Sequence, residues 1–286
     1  MASLISLGQV IDKTIGHYKK HFVELLSITA WIIIASVPAA IAKLIQPYVI
    51  GTELTPLHIF TIVLNNVGAL LVGIVSIWVL LTIIIAVGEQ ASGATRDVKT
   101  QGKKAWKLFF SYIWVSILMS LIVAVILIPP FLGLTLVLID SVRETSTILS
   151  NIGGVLLLVG TLISFILLVK YSIQYGFAPY SLVLDNARGV KAFKHSSDLV
   201  AGRWWGTFFR FVIPKLIYAL VVFVLNFLLL AALAIILVIT VSDISIYQGV
   251  GNATWMILSS IVTALSIPLI AVTDFYIYDS LRNTRS

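Results

Sequence analysis

Two histidines and a glutamate near the N-terminus have a spacing that could hold a metal ion. His17, His21 and Glu24 follow one another at i, i+4 and i+7, which places all three on one face of a helix. Two imidazoles and a carboxylate are zinc ligands, but a metal centre also needs side chains that support those ligands. The sequence favours another interpretation, in which these groups face lipid headgroups or neighbouring helix ends. We predict no metal and no other cofactor.

A second set of candidate residues is ionisable and falls near the ends of long apolar stretches. Charged side chains are costly inside lipid, so these residues could form a site for an ion or an anionic headgroup. The sequence favours the other interpretation, in which they snorkel or pair between helices. The members of this predicted polar cluster are Glu24, Glu89, Lys170, Asp185, Arg203, Lys215, Asp274, Asp279 and Arg282.

The chain lacks the common signatures of catalysis. It has no cysteine, which excludes thiol and zinc-thiolate chemistry. It contains no glycine-rich phosphate loop ending in Lys-Ser/Thr, no His-Glu-x-x-His and no Gly-x-Ser-x-Gly. The histidine inside an apolar stretch, His58, stands alone at its outer end. We therefore predict no catalytic residue, and an enzyme is disfavoured.

The elements that must position these residues are membrane-spanning helices. Of the 286 residues, 59% are hydrophobic and 11% are charged, against about 25% charged in soluble domains. Crossing a bilayer takes about 20 apolar residues as a helix, and the alternation expected of β-barrel strands is missing. We predict an all-α polytopic membrane protein, a single integral membrane domain over residues 1–286 with six spans in three hairpins. The predicted spans are residues 23–45, 57–88, 107–139, 148–172, 207–240 and 252–278.

The basic residues predict the orientation of these spans. Seventeen of the 19 lysines and arginines lie on one predicted side of the membrane, and only Lys43 and Arg143 lie elsewhere. Because positively charged loops stay in the cytoplasm, both termini should be cytoplasmic in a plasma (inner) membrane protein. The net charge of +7 then reflects topology and attraction to anionic lipid headgroups. No basic module long enough to bind nucleic acid is left.

Two segments beside the spans are predicted to be amphipathic. In the lead-in segment, residues 3–22, apolar side chains recur at intervals of three and four, as in an interfacial helix. In residues 185–203, Val190, Phe193 and Ser197 fall on one helical face, Lys191 and Lys194 fall on the other, and Gly202 should end the helix. This second segment could lie on the inner leaflet or dock a cytoplasmic partner.

A pattern of cations followed by aromatic residues recurs along the chain. It begins at Lys19, Lys103 and Arg203, each time just before a predicted pair of spans. An internal threefold repeat would produce it, and so would the preference of any cytoplasmic helix entry for such residues. In the third predicted span, Pro129 and Pro130 remove two backbone donors, so we expect a kink or a break.

Part of the chain resembles a known family. Residues 177–186 (FAPYSLVLDN) lead into residues 189–196 (GVKAFKHS) and 199–205 (LVAGRWW), and residues 275–282 read FYIYDSLR. This pattern resembles the six-span membrane domain of some bacterial glycerophosphodiester phosphodiesterases, and is similar to stand-alone prokaryotic membrane proteins of that type. Asp185 stands where the family more often has glutamate. The phosphodiesterase barrel needs about 250 residues, which six spans leave no room for, so no catalytic residue carries over.

The sequence leaves three functions open. The favoured one is a non-catalytic integral membrane protein that binds or organises lipid, or a membrane or cytoplasmic protein partner, through its cytoplasmic amphipathic helices. The second is a small-molecule or ion transporter or channel, which would need a polar path lined by residues such as Asn65, Asn226 or Asp274. The third is a membrane-embedded enzyme of lipid metabolism, suggested only by the family resemblance.

Overall fold

A computed structural model of the chain describes residues 4–48, 55–94, 97–143 and 147–284. Every element among them is helical and none is a strand, so the predicted all-α class is confirmed. Residue 3 of the predicted lead-in segment and the side chain of Arg143 lie outside the described part. The helices are α1 (Leu7–Lys20), α2 (Phe22–Thr29), α3 (Trp31–Ile45), α4 (Pro56–Ala91), α5 (Val98–Arg143), α6 (Thr147–Tyr175), α7 (Ala178–Leu184), α8 (Val190–Val200), α9 (Trp204–Thr240) and α10 (Ile244–Asn283).

Six helical stretches are long and apolar enough to cross a membrane. They confirm the six predicted spans and make the chain a multi-pass integral membrane protein. Several are longer than the roughly 20 residues that a bilayer requires. The stretches are Phe22–Tyr48, Pro56–Ala91, Val98–Ser141, Ile148–Leu184, Trp204–Thr240 and Ile244–Asn283.

Polar residues fix where several helices begin. Ser6 and Gln9 form a capping box at the start of α1, with Ser6 Oγ accepting from Gln9 N at 3.3 Å and Gln9 Oε1 accepting from Ser6 N at 3.1 Å. Asp243 caps α10 by accepting from Ser245 N at 2.8 Å. Gly202, with φ of 75°, turns the chain between α8 and α9, so the predicted end of that helix is confirmed.

Helix α5 runs unbroken from Val98 to Arg143 through Pro129 and Pro130, so of the predicted kink or break the break is absent. Proline removes a backbone donor and crowds the preceding turn. Gly160 of α6 faces this turn, where an added Cβ would lie 3.0 Å from Pro130 N. The absence of a side chain at Gly160 lets α6 pack directly against the turn that the two prolines weaken.

The described residues divide into two compact units. Unit 1 contains Met1–Phe109 and Phe209–Thr284, and unit 2 contains Phe110–Phe208. Unit 1 therefore holds α1 to α4, the start of α5, most of α9 and all of α10. Unit 2 holds the rest of α5, with α6, α7, α8 and the start of α9.

In unit 1, α3 packs against both α4 and α10. A Cβ added at Gly68 would lie 2.6 Å from Ala39 Cβ, and one added at Gly249 would lie 2.6 Å from Leu44 O. Both distances are shorter than the contacts that a real Cβ atom makes, so the two close crossings require glycine at these positions. The core beside them is apolar, with Leu25, Ile28, Ile83, Ile84, Val87, Val272 and Ile277 fully or almost fully buried.

In unit 2, the short helices α7 and α8 fold back on one another and on α5. Asn186, with φ of 53°, and Gly189, with φ of 57°, turn the chain between them. The core they enclose consists of Val115, Ala178, Leu182, Ala192 and Phe193. This small apolar cluster holds the two short helices in place.

Candidate functional site

Helix α1 is fastened to the rest of unit 1 by hydrogen bonds at both of its ends. Before the helix, Ile5 N donates to Ser280 Oγ at 3.0 Å, and Arg210 Nε donates to Ile5 O. Near its last turn, Tyr18 OH donates to Leu265 O at 3.0 Å. The helix therefore has a fixed position across the last turns of α10.

Buried hydroxyl groups line the contact between α1 and α10. Thr14 Oγ1 lies 3.2 Å from Thr273 Oγ1, and Thr273 Oγ1 also lies 3.4 Å from Tyr218 OH of α9. Both threonines are completely buried. A buried hydroxyl needs a partner to offset its desolvation, so this contact specifies how α1 sits on α10.

His17 occupies the centre of this contact. Its Nδ1 lies 3.1 Å from Tyr276 OH and its Nε2 lies 2.7 Å from Gln90 Oε1. Since Oε1 can only accept, Nε2 carries the proton, and Nδ1 accepts from the tyrosine. Burial lowers the pKa of His17 and outweighs the hydrogen bond that His17 donates to Gln90, which raises it, and neighbouring His21 lowers the pKa further. His17 is thus a neutral imidazole that joins α1, α4 and α10.

Lys215 of α9 and Asp274 of α10, which lies two residues before Tyr276, form a largely buried ion pair. The ammonium nitrogen lies 2.9 Å from Oδ2 and 2.8 Å from Oδ1, and the Oδ2 contact has hydrogen-bond geometry. Lys215 Nζ also lies 3.1 Å from the centroid of the Phe211 ring. Because both residues fall in candidate spans, each charge depends on the other for its solvation.

A third polar contact joins the end of α4 to the start of α5. Glu89 Oε1 accepts from Lys104 Nζ at 2.6 Å, and Glu89 Oε2 accepts from Gln101 Nε2 at 3.2 Å. The glutamate side chain is 15% exposed and the lysine side chain is 40% exposed. The pair therefore meets solvent or headgroups, unlike Lys215 and Asp274.

The structure does not bring His17, His21 and Glu24 together as metal ligands. Both nitrogens of His17 face Tyr276 and Gln90, and Glu24 lies 3.7 Å from His21 Nδ1 instead. Among the described residues, no group of three or more His, Asp or Glu side chains is placed to hold a metal ion. His17 lies on α1 and Glu24 lies on α2, and His21 is the residue between the two helices, so the three do not share one helix.

The predicted polar cluster is divided between the two units. Lys215 and Asp274 meet each other, whereas Glu24 and Glu89 contact His21 and Lys104. Asp279 is half-buried one turn beyond Tyr276, and Arg282 is exposed. The unit 1 members are Glu24, Glu89, Lys215, Asp274, Asp279 and Arg282, and the unit 2 members are Lys170, Asp185 and Arg203.

Unit 2 places a serine, a histidine and an aspartate within reach of one another. Ser181 Oγ lies 3.0 Å from His195 Nδ1, and Asp185 Oδ2 lies 3.6 Å from the same nitrogen. A Ser-His-Asp relay needs the hydroxyl and the carboxylate on opposite ring nitrogens. These contacts therefore join α7 to α8 and have no relay geometry.

The remaining unit 2 members lie beside backbone carbonyl groups. Arg203 Nη2 donates to Leu199 O at 3.2 Å, next to the end of α8. The carbonyl of Lys170 accepts from Trp204 Nε1 at 3.3 Å, while the lysine side chain is exposed, with Nζ 5.7 Å from the Tyr171 ring centroid. Both contacts fix the entry of the chain into α9.

Helix α8 has one buried face. Phe193 is buried and Val190, the first residue of α8, is 69% exposed. The face that packs inward contains Ala192, Phe193, Ser196, Leu199 and Val200. The predicted lipid-facing role of Val190 stays a prediction. Lys191 and Lys194 are exposed, as the sequence indicated.

Several residues of the site were not found from the sequence. They are uncharged side chains, whereas the sequence candidates were ionisable groups at span ends. These residues are Thr14, Gln90, Tyr218, Thr273 and Tyr276. The available signal was spacing, because Val10, Thr14 and His17 recur at intervals of four and three and are the buried residues of α1. That face includes a threonine and a histidine, so a search for an apolar face alone could not identify it.

Comparisons with known proteins add no relative from which a role could be taken. No family model, no curated protein and no solved structure matches this chain. The function therefore has to follow from the contacts described above.

Proposed function

We propose that this protein is a non-catalytic integral membrane protein of the plasma membrane that binds and organises anionic lipid through its cytoplasmic helices. Support comes from the outward face of α1 and its continuation into α2. Lys13, Lys19 and Lys20 are exposed there, and so are the apolar side chains of Phe22 and Val23, the latter by 79%. Cations bind lipid phosphates, and apolar side chains enter the headgroup region.

The observation that carries this proposal is the rigid attachment of α1. The helix is bonded to α10 at Ser280 and Leu265 and to Gln90 of α4 through His17. A flexible basic tail would lose conformational freedom when it binds a membrane, whereas a fixed helix presents its lysines in advance. The same attachment would let lipid binding at α1 stabilise the packing of α4 and α10.

The alternative of a transporter receives less support from the interior of unit 1. Between Ser259 and Thr273 of α10, about 21 Å at 1.5 Å per residue, the buried side chains are Val262, Ala264, Pro268, Ala271 and Val272. The hydroxyls of Ser260, Thr263 and Ser266 bond to carbonyls of their own helix. Asn226, also proposed to line a path, donates to Val222 O of its own helix. These residues favour a packed interior over a polar path.

The test is lipid selection by the full-length protein. The protein is reconstituted in nanodiscs of phosphatidylcholine with phosphatidylglycerol, and the lipids that remain bound are counted by native mass spectrometry. Replacing Lys13, Lys19 and Lys20 with glutamine should reduce phosphatidylglycerol retention by at least about tenfold, at about 1 kcal/mol per lysine. The matched control replaces the same residues with arginine and should retain it. Equal retention by both variants would refute a role for α1.

A flux assay separates this proposal from transport. Liposomes that contain the protein should leak ions and small solutes no faster than empty liposomes. A leak that depends on the protein would support the transporter alternative.

We also infer kinship with the membrane domains of bacterial glycerophosphodiester phosphodiesterases. Its support is the sequence pattern of residues 177–205, which covers α7, α8 and the start of α9. A structure of such a domain tests the kinship, because it should contain the same folded-back pair of short helices with a His-to-Ser contact like that of His195 and Ser181. A different arrangement in that loop would count against it.

A further inference from the structure

A polar cleft opens in unit 1 at the other ends of α4 and α10, away from α1. It lies between the last turn of α3 and the first turns of α4 and has a volume of about 330 Å³. A neighbouring cleft of about 700 Å³ lies between the end of α3 and the first turns of α10. Lys43 and Gln46 line both clefts, so the end of α3 forms a shared wall.

Close backbone crossings hold these walls in place. Helix α3 meets α4 at Ala39 and Gly68, and it meets α10 at Leu44 and Gly249. Lys43 therefore projects from a turn of α3 that two neighbouring helices hold in place. Clefts between packed helices are common places for small-molecule sites, and 330 Å³ is at the lower end of the roughly 300–1,000 Å³ that such sites have.

The side chains around the first cleft have complementary hydrogen-bonding capacities. Lys43 supplies a positive charge, with Nζ donating to Gln46 Oε1 at 3.1 Å. Asn66 Nδ2 donates to Ile62 O at 2.8 Å, which leaves its amide oxygen able to accept another bond. The other polar residues of the lining are His58, Thr61 and Asn65, and the described lining contains no acidic residue.

The polar lining of this cleft is energetically unfavourable at its place in the chain. The lining residues belong to candidate spans, Phe22–Tyr48 and Pro56–Ala91. Within spans, amides and a lysine are expensive to keep unless they face partners or a water-filled cavity. Here they converge on one concave surface, whereas the neighbouring Ile59 and Val63 are exposed on another side of α4.

We propose that this cleft binds a small polyhydroxylated anion, with the anionic group at Lys43 and hydroxyl groups at the amides of Gln46, Asn65 and Asn66. A single cation in a lining without acids selects a negative group, because a neutral or cationic ligand would leave the ammonium uncompensated. Each primary amide offers both a donor and an acceptor, which matches the dual capacity of a hydroxyl group.

The same chemistry is present in a free sugar acid and in the headgroup of phosphatidylglycerol, and the experiment separates these sources. The purified full-length protein in lipid-depleted neutral detergent is titrated with gluconate, and with sorbitol as the uncharged polyol, by isothermal calorimetry. Parallel nanodisc samples record phosphatidylglycerol retention. The variant is Lys43→Gln, and the control is Lys99→Gln, which removes the same charge from an exposed residue of α5.

Gluconate should bind, and sorbitol should bind at least about tenfold more weakly. Lys43→Gln should abolish this difference, and Lys99→Gln should preserve it. If Lys43→Gln lowers phosphatidylglycerol retention and gluconate does not affect it, the site is supported and the lipid headgroup is its ligand. Asn65→Leu, which keeps the charge, should weaken either ligand. The proposal is overturned if neither ligand binds, or if binding is the same in Lys43→Gln. Lipid binding at α1 depends on Lys13, Lys19 and Lys20 and not on Lys43. A negative result for α1 would therefore leave the Lys43 result unaffected.

Discussion

The two units attach a short helix to their spans by different kinds of contact. In unit 1, α1 meets α10 through buried polar side chains, including Thr14 and His17. In unit 2, α8 meets α7 and α5 mainly through an apolar cluster that includes Leu182 and Phe193, with a polar contact between His195 and Ser181 beside it. Hydrogen bonds in a buried contact require particular partners, whereas apolar contacts tolerate exchange of similar volumes. Unit 1 should therefore be the more sensitive to charge and pH, and unit 2 to packing.

Charge pairs also differ in their exposure to water. Lys215 and Asp274 of unit 1 have side-chain exposures of 25% and 11%. His195 and Asp185 of unit 2 have side-chain exposures of 37% and 16% and lie 3.6 Å apart. In unit 1, Glu89 is 15% exposed and its lysine partner is 40% exposed, so the pair at Asp274 is the most shielded of the three. The contrast shows that residue type alone does not reveal which charges matter.

The largest effect should come from breaking the buried pair in unit 1. Lys215→Met leaves Asp274 as an uncompensated buried charge, which typically costs about 3–5 kcal/mol. The free energy of unfolding of the detergent-solubilised protein, followed by tryptophan fluorescence in denaturant, measures the loss. The double variant Lys215→Met/Asp274→Leu should recover most of it. A double variant as unstable as the single one would mean that the pair supplies a specific attraction.

Packing in unit 2 should produce the next largest effect. A Cβ on Gly133 of α5 would overlap the backbone of Leu157 on α6, with Leu157 Cα at 2.7 Å. Gly133→Ala should therefore cost about 1–3 kcal/mol through overpacking. Gly154→Ala is the control, because no atom lies within 4 Å of its added Cβ. Heat stability measured by size-exclusion chromatography after incubation compares the two, and equal stability would contradict the close approach of these helices.

Removal of His17 should destabilise unit 1 and change its response to acid. His17→Ala leaves Gln90 and Tyr276 without a partner at that ring, at about 1–3 kcal/mol. Because burial lowers the pKa of His17 in the folded chain, the unfolded chain binds the proton first as the pH falls below about 6.5. Wild-type stability should therefore decrease from pH 7 toward pH 5.

The difference between wild type and His17→Gln across that pH range isolates this contribution. The glutamine variant should lose less stability on acidification than the wild type. Parallel pH profiles of the wild type and His17→Gln would contradict a neutral His17 at the α1 contact.

The smallest effect should come from the polar contact of unit 2. His195→Gln removes a partly exposed pairing with Asp185, and such contacts contribute at most about 1 kcal/mol. The apolar cluster around Phe193 should keep α8 in place. Amide hydrogen exchange of residues 190–200 measures this, and strongly increased exchange would show that the histidine, rather than the cluster, holds the helix.

The sequence was sufficient for the six spans and insufficient for the partners of their polar residues. Asp274 was identified as a candidate from its position after an apolar run, but its contact with Lys215 joins residues 59 positions apart. The contact between His17 and Tyr276 spans 259 positions. Helical periodicity predicts which side chains share a face, but it does not predict which helix that face meets or how far along.

The sequence by itself determined that this is an all-α membrane protein with six spans, because apolar length is a local property and lipid permits few alternatives. It also located most of the candidate charges. Only the tertiary structure decided that His17 joins three helices, that Lys215 pairs with Asp274, and that Lys43 lies between two glycine crossings of α3. Those outcomes depend on how helices rotate and cross, which is set by packing across the whole of unit 1 rather than by any one segment.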